Sequence, residues 1–122
     1  MARYVIDASS IIEAILSLGE EAISFLEECS SADLVLYEIG NFLWKSDNGE
    51  LVEPFRQVLK FLSLESVGLN QEVLKIAREE GLTYYDAVYL YLSRKSGSTL
   101  ISEDRDLINK GAIPVKKVLE NR

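Results

Sequence analysis

The sequence predicts an α/β fold, a parallel sheet with helices on both faces. Three observations predict it. Short apolar runs with β-branched centres alternate with longer stretches of helical periodicity. Glycines and Ser, Thr or Asn caps fall between the stretches, where helices start and stop. One stretch, residues 84–96, is apolar on nearly every face, as a helix buried against a sheet must be. No repeat, low-complexity segment or Pro/Gly/Ser-rich linker divides the 122 residues. The expectation is one domain, 1–122.

Tyr4-Val-Ile forms the first predicted strand and ends at Asp7. Ser9 or Ser10 caps a helix with Ile11, Ile12, Ile15 and Leu16 on one face, and Gly19 stops it. A second helix carries Ala22, Ile23, Phe25, Leu26 and Cys29 at helical spacing. Leu34-Val-Leu reads as the second strand, running into a helix from about Glu38 to Lys45 with Phe42, Leu43 and Trp44 as apolar bulk. Gly40 inside that helix costs roughly 0.5–1 kcal/mol relative to Ala, and close helix packing is the one reading that accounts for it. Asp47-Asn-Gly is a turn.

Leu51 to Leu64 reads as a helix with Val58, Leu59, Phe61 and Leu62 inward, followed by a brief strand at Val67. Asn70 starts a helix carrying Val73, Leu74, Ile76 and Ala77, closed by Gly81. Thr83 caps the apolar helix from Tyr84 to Ser96, and Gly97 closes it. Thr99-Leu-Ile is a strand, Asp104 to Lys110 a short helix ending at Gly111, and Pro114-Val-Lys a last edge strand.

Composition removes several classes of function. Apolar residues make up 48% and charged residues 27%, the profile of an ordinary globular chain. No apolar stretch approaches the ~20 residues that cross a bilayer, and no signal peptide is expected at Met1 to Asp7. A net charge of −7 argues against coating nucleic acid by charge alone. One cysteine, Cys29, permits no internal disulfide and fits a reducing, cytoplasmic setting. There is no histidine, so Ser-His-Asp hydrolysis, Cys-His proteolysis and imidazole zinc sites are excluded. Any catalysis belongs to carboxylates, hydroxyls, lysines or bound metal.

Four carboxylates fall near strand ends and helix beginnings: Asp7, Glu38, Asp86 and Asp104. Each has a structural reading as a cap or a first-turn acid favoured by the helix dipole. Asp86 is the hardest to read that way, because its apolar neighbours place it near the core, where an unpaired carboxylate is costly. In a parallel sheet all four project toward the carboxyl edge, where such folds bind ligands. Clustered carboxylates do not all ionise unaided, and a hard divalent cation resolves that conflict. Metal-assisted phosphodiester hydrolysis is chemistry that such a cluster performs without histidine.

The runs Val5-Ile-Asp7-Ala-Ser9, Tyr37-Glu38-Ile-Gly-Asn41, Thr83-Tyr-Tyr-Asp86-Ala-Val-Tyr-Leu and Leu100-Ile-Ser102-Glu-Asp104-Arg-Asp-Leu107 resemble, in order, the four motifs of the PIN-domain nucleases. The compact length resembles VapC-type toxins of toxin–antitoxin pairs. The resemblance implies a three-layer α/β/α fold with a central parallel sheet and Mg²⁺- or Mn²⁺-dependent endoribonuclease activity on RNA, through an activated water. It places Asp7, Glu38, Asp86 and Asp104 as metal-binding acids, with Ser9, Asn41 and Ser102 toward substrate. It also implies a small protein antitoxin over the cleft, and a homodimer is expected from the aromatic excess. Glu103 and Asp106 flank Asp104, which has the family spacing.

Other readings stay beside this one. A stand-alone PIN nuclease of RNA processing shares the chemistry, and a binding-only fold keeps the architecture alone. A signalling receiver domain needs an Asp ending a central strand and a Lys ending a later one, and Tyr37-Glu38 and Ser102 stand there instead. Arg94-Lys95 complement a helix dipole or touch RNA. Lys116-Lys117 and Arg122 form a solvated terminus or a phosphate contact. Trp44, Phe42 and the aromatics of Tyr84 to Tyr91 are read mostly as core.

Overall fold

The structure is a computed structural model and describes residues 2–121; Arg122 lies outside the described residues. Four parallel strands run β1 (Tyr4–Ile6), β2 (Cys29–Ala32), β3 (Ser63–Glu65) and β4 (Thr99–Ile101), in the spatial order β3-β2-β1-β4. Among the described residues eight α-helices connect and follow them: α1 (Ala8–Leu18), α2 (Ala22–Leu26), α3 (Leu34–Lys45), α4 (Val52–Leu59), α5 (Gln71–Glu80), α6 (Tyr84–Ser96), α7 (Arg105–Ile108) and α8 (Val115–Glu120). Among the described residues no helix is long and apolar enough to cross a membrane.

Alternation along the strands makes three layers. Ile6 and Ile101 face one core, with Ile11, Phe25, Val35, Leu43, Phe55 and Val118. Val5 and Leu100 face the other, with Val73, Val88, Leu92 and Leu107. A period-2 pattern that is apolar on both faces is what a sheet covered twice requires. The α/β/α architecture with a central parallel sheet is therefore present.

Several element boundaries differ from the sequence reading. Leu34-Val-Leu is the first turn of α3, not a strand. Val35, Ile39 and Leu43 recur every four residues and are all buried, while Leu36 is exposed. The central strand is instead Cys29–Ala32, built of small side chains, so Cys29 opens β2 instead of closing a helix. Ser31 is fully buried there and donates its hydroxyl to the Ile6 carbonyl at 2.6 Å, which satisfies it inside the sheet.

The predicted helix from Leu51 to Leu64 is only α4. β3 follows within its last residues, and Val67 lies outside the sheet. All three β3 residues are exposed, so that edge strand carries no apolar signal. Pro114 is the N-cap of α8 and not part of a strand. The edge pairing falls one residue earlier, as a single bridge between Ile101 and Ile113. Asp7, not Ser9 or Ser10, caps α1. Trp44 is on the surface at 77% exposure and not in the core.

Other punctuation agrees with the sequence. Asn70 caps α5 through the Glu72 and Val73 amides, Thr83 caps α6 through the Asp86 amide, and Asp104 caps α7. Gly81 and Gly97 close α5 and α6 in the left-handed region, with φ of 68° and 70°.

Gly40 has no close packing. A Cβ built there meets nothing within 4 Å, and its backbone is helical. Gly40→Ala should therefore stabilise the chain by about 0.5–1 kcal/mol, read as a raised denaturation midpoint in urea.

Candidate active site

Strand order places the site. β2 and β3 lie on one side of β1, and β4 lies on the other. The topology therefore reverses between β1 and β4, and open parallel sheets bind ligands at that crevice. Registry carries Ile6 opposite Ile101, so Asp7 and Ser102 leave the sheet side by side. The Asp7 amide donates to the Ile101 carbonyl at 3.1 Å, continuing the ladder one step past the strand.

Asp7 is 5% exposed, and its carboxylate is held from three directions. Oδ1 accepts from the Ser10 amide at 3.1 Å and from the Ser9 hydroxyl at 2.9 Å. The buried Ser102 hydroxyl donates to Oδ2 and itself accepts from the Asp104 amide at 2.9 Å. Burial pushes the Asp7 carboxyl above the ordinary aspartate range, against the lowering effect of the bonds from Ser102, Ser10 and Ser9. Of the four buried polar or charged residues described, three (Asp7, Ser10 and Ser102) meet here.

The other acids arrive on separate helices. Asp104 caps α7, its Oδ1 accepting from the Asp106 and Leu107 amides at 2.9 and 3.2 Å. Asp86 stands in the first turn of α6, three residues after Thr83. Glu38 lies in the second turn of α3, not at a helix start, because α3 begins four residues earlier than the sequence suggested. Its Oε1 accepts the Tyr89 hydroxyl from α6.

Together Asp7, Ala8, Ser9, Glu38, Asp86, Tyr89, Glu103 and Asp104 line one cleft of about 240 Å³, with no basic side chain among them. Ser102 lies beneath the cleft, bonded to Asp7. Asn41 is exposed on α3 and does not line the cleft. A larger groove of about 590 Å³ runs along α5, but its lining residues are all exposed on one helix flank and balance two acids with two bases. It buries no polar side chain.

Two polar lining residues were not among the sequence candidates. Tyr89 was read as core, although its position three residues after Asp86 puts both on one face of α6. Glu103 was left undecided beside Asp104. Its Oε2 accepts the Ser10 hydroxyl and the Val115 amide, both at 2.9 Å, tying α1 to the start of α8. No sequence signal reveals that bond, because Val115 lies twelve residues away. Asp106 does not line the cleft.

Crowding of like charge raises the proton affinity of these carboxyls. Asp86 is pushed up to about 6, by burial first and then by the charges of Asp104, Asp7 and Glu38. Glu38 is pushed up by burial and by Asp7, with the Tyr89 hydroxyl opposing. The donor set is all oxygen, the preference of Mg²⁺ and Mn²⁺. Among the described residues no three carboxylates converge closely enough to enclose an ion by themselves. Mg²⁺ commonly takes one or two carboxylates and keeps water and phosphate oxygens for the rest, so this donor set fits it.

Residues 4–113 match the PIN domain. The chain belongs to the PIN-domain nucleases. Two VapC-type relatives come from Pyrobaculum aerophilum. The chain is 38% identical to Exonuclease VapC9 over 126 residues, covering 96% of this chain and 93% of that protein. It is 32% identical to Ribonuclease VapC3, covering 88% of this chain and 94% of that protein. The crystal structure of PAE2754 from the same organism superposes with a TM-score of 0.87 at 34% identity, covering 98% of this chain and 96% of that one.

The raised Asp86 carboxyl in this PIN domain gives a pH dependence with a definite sign. Between its ordinary value of 3.8 and about 6 the folded chain holds a proton that the unfolded chain has lost. Asp86 therefore lowers stability as pH rises through that window. Asp86→Asn should raise the metal-free unfolding free energy at pH 7 by on the order of 1–2 kcal/mol after screening, seen as a higher melting temperature. The gain over wild type should vanish near pH 4, as melts across pH would record.

Proposed function

We propose that this PIN domain is a metal-dependent endoribonuclease, the toxin of a type II toxin–antitoxin pair. One observation carries the reading: five acids, Asp7, Glu38, Asp86, Glu103 and Asp104, line a single cleft with no basic side chain in its lining. Asp7, Glu38, Asp86 and Asp104 would hold Mg²⁺ or Mn²⁺. The bound cation supplies Lewis acidity toward phosphate oxygens and lowers the pKa of water, which is what hydrolysis of a phosphodiester needs.

The residues of the chain do the positioning. Asp7 is fixed by Ser9, Ser10 and Ser102, so it does not need to reorganise when ligand arrives. Asp104 is pinned by two helix amides. Ser9 is exposed at the cleft, which supports a role for its hydroxyl toward substrate. Ser102 acts on substrate only through Asp7, and Asn41 reaches it only from outside the cleft.

RNA as substrate draws support from the relative named a ribonuclease. A second reading, cleavage from an end, draws support from the relative named an exonuclease. The VapC relatives support an antitoxin partner, and the exposed aromatics support self-association. A protein antitoxin would cover the cleft, and the chain would pair as a homodimer. Tyr37 and Trp44, at 79% and 77% exposure and two turns apart on α3, are apolar surface that suits a protein partner.

The test uses one RNA in circular and linear form, with DNA of the same sequence beside it. Wild type with Mn²⁺ should cut the circle and spare the DNA. EDTA should abolish cleavage, and Asp86→Asn should lower the rate about 100-fold or more, the scale of losing one charge-stabilising group. Loss of the linear form alone would replace the endonuclease with the exonuclease reading. Cleavage at the wild-type rate in EDTA or by Asp86→Asn would overturn the metal reading.

A further inference from the structure

We propose that Tyr89 is a positioning residue of the acid cleft, its hydroxyl fixing the Glu38 carboxylate in the orientation that receives the divalent cation. The inference rests on the metal reading above. Tyr89 is 1% exposed and belongs to the apolar helix α6, yet its hydroxyl crosses to α3 and donates to Glu38 Oε1. It also lines the cleft beside Glu38 and Asp86. Phe would fill the same space and complete the apolar face, so the hydroxyl is the feature that needs explaining.

Glu38 needs such a partner more than Asp7 and Asp104 do. Asp7 and Asp104 are short side chains held by backbone amides and hydroxyls. Glu38 has a longer, more flexible side chain, set one turn into its helix with no cap to hold it. Among the described residues Tyr89 is the one hydrogen-bond partner of its carboxylate. With Oε1 taken, Oε2 is the oxygen left without a protein donor. A phenol is ordinarily protonated at neutral pH, so the Tyr89 hydroxyl is available as a donor.

The consequence is a division of labour on α6. Asp86 and Tyr89, three residues apart, share one face. The helix supplies one acid directly and orients a second that belongs to α3. Partners of metal-binding carboxylates typically change affinity or activity by about 10–100-fold when removed. The opposite arrangement is that Glu38 merely satisfies a buried phenol, and it makes different predictions.

The experiment is a calorimetric Mn²⁺ titration of the metal-free full chain as wild type, Tyr89→Phe, Glu38→Ala and the double variant, with metal-free melts of each. Tyr89→Phe should weaken Mn²⁺ binding by about 10–100-fold while its metal-free melting stays near wild type. In the Glu38→Ala background, Tyr89→Phe should cause no further loss. Wild-type affinity in Tyr89→Phe, or an equal loss with and without Glu38, would overturn the positioning role alone. So would a Tyr89→Phe chain that no longer folds, since the hydroxyl would then belong to the core. A wild-type chain that takes up no Mn²⁺ would overturn this role and the metal reading together.

Discussion

The hydrogen bond between Asp7 and Ser102 joins the carboxyl ends of β1 and β4, and most of the site depends on it. These are the two neighbouring strands between which the topology reverses. A crevice there opens naturally, because the helices after β1 and β4 leave in different directions. Asp7 bridges the opening while it caps α1 and extends the ladder through its own amide. Burying a carboxylate at 5% exposure is expensive, and the donors from Ser9, Ser10 and Ser102 offset that expense. Ser102 in turn receives the Asp104 amide, so the geometry of one acid is passed on to another.

The cluster that results is stable in its bonds and unstable in its charges. Every buried polar side-chain atom described has a partner. Asp7, Glu38 and Asp86 nevertheless titrate high, because burial is compounded by repulsion among the acids at Glu38 and Asp86. A chain selected for stability alone would replace one of them by an amide. Retaining them is the usual trade between a preorganised polar site and the stability of the fold that holds it. The two cores on either side of the sheet supply the rigidity that keeps like charges close.

Most of this was legible in the sequence, and the failures have specific causes. Caps were readable because Asn70, Thr83 and Asp104 act within three residues of themselves. The α/β alternation was readable from period and punctuation. β2 was missed because Cys29-Ser-Ser-Ala has little β propensity and is a strand through its neighbours, β1 and β3. Leu34-Val-Leu was misread because three apolar residues fit both periods, and only Ile39 and Leu43 decide for the helix. Asp7, Asp86 and Asp104 follow from strand ends and caps. Glu38 reached the cleft from a different helical position than expected, and its Tyr89 partner spans 51 residues. Contacts of that range leave no local pattern.

Net charge also constrains how the cleft meets its proposed substrate. With −7 overall and no basic side chain lining the cleft, the metal-free chain repels a polyanion where it would be cut. Cations elsewhere are partly spent: Arg94 and Lys110 both reach Glu80, and Lys95 reaches Glu65. Binding of RNA and binding of metal are therefore expected to be coupled. A divalent cation would reverse the local potential that the five lining acids create, and phosphate oxygens would complete the coordination that one or two carboxylates leave open. Such coupling is reciprocal by thermodynamic necessity. The acids that make the metal-free cleft repel nucleic acid are the same groups through which bound metal would attract it.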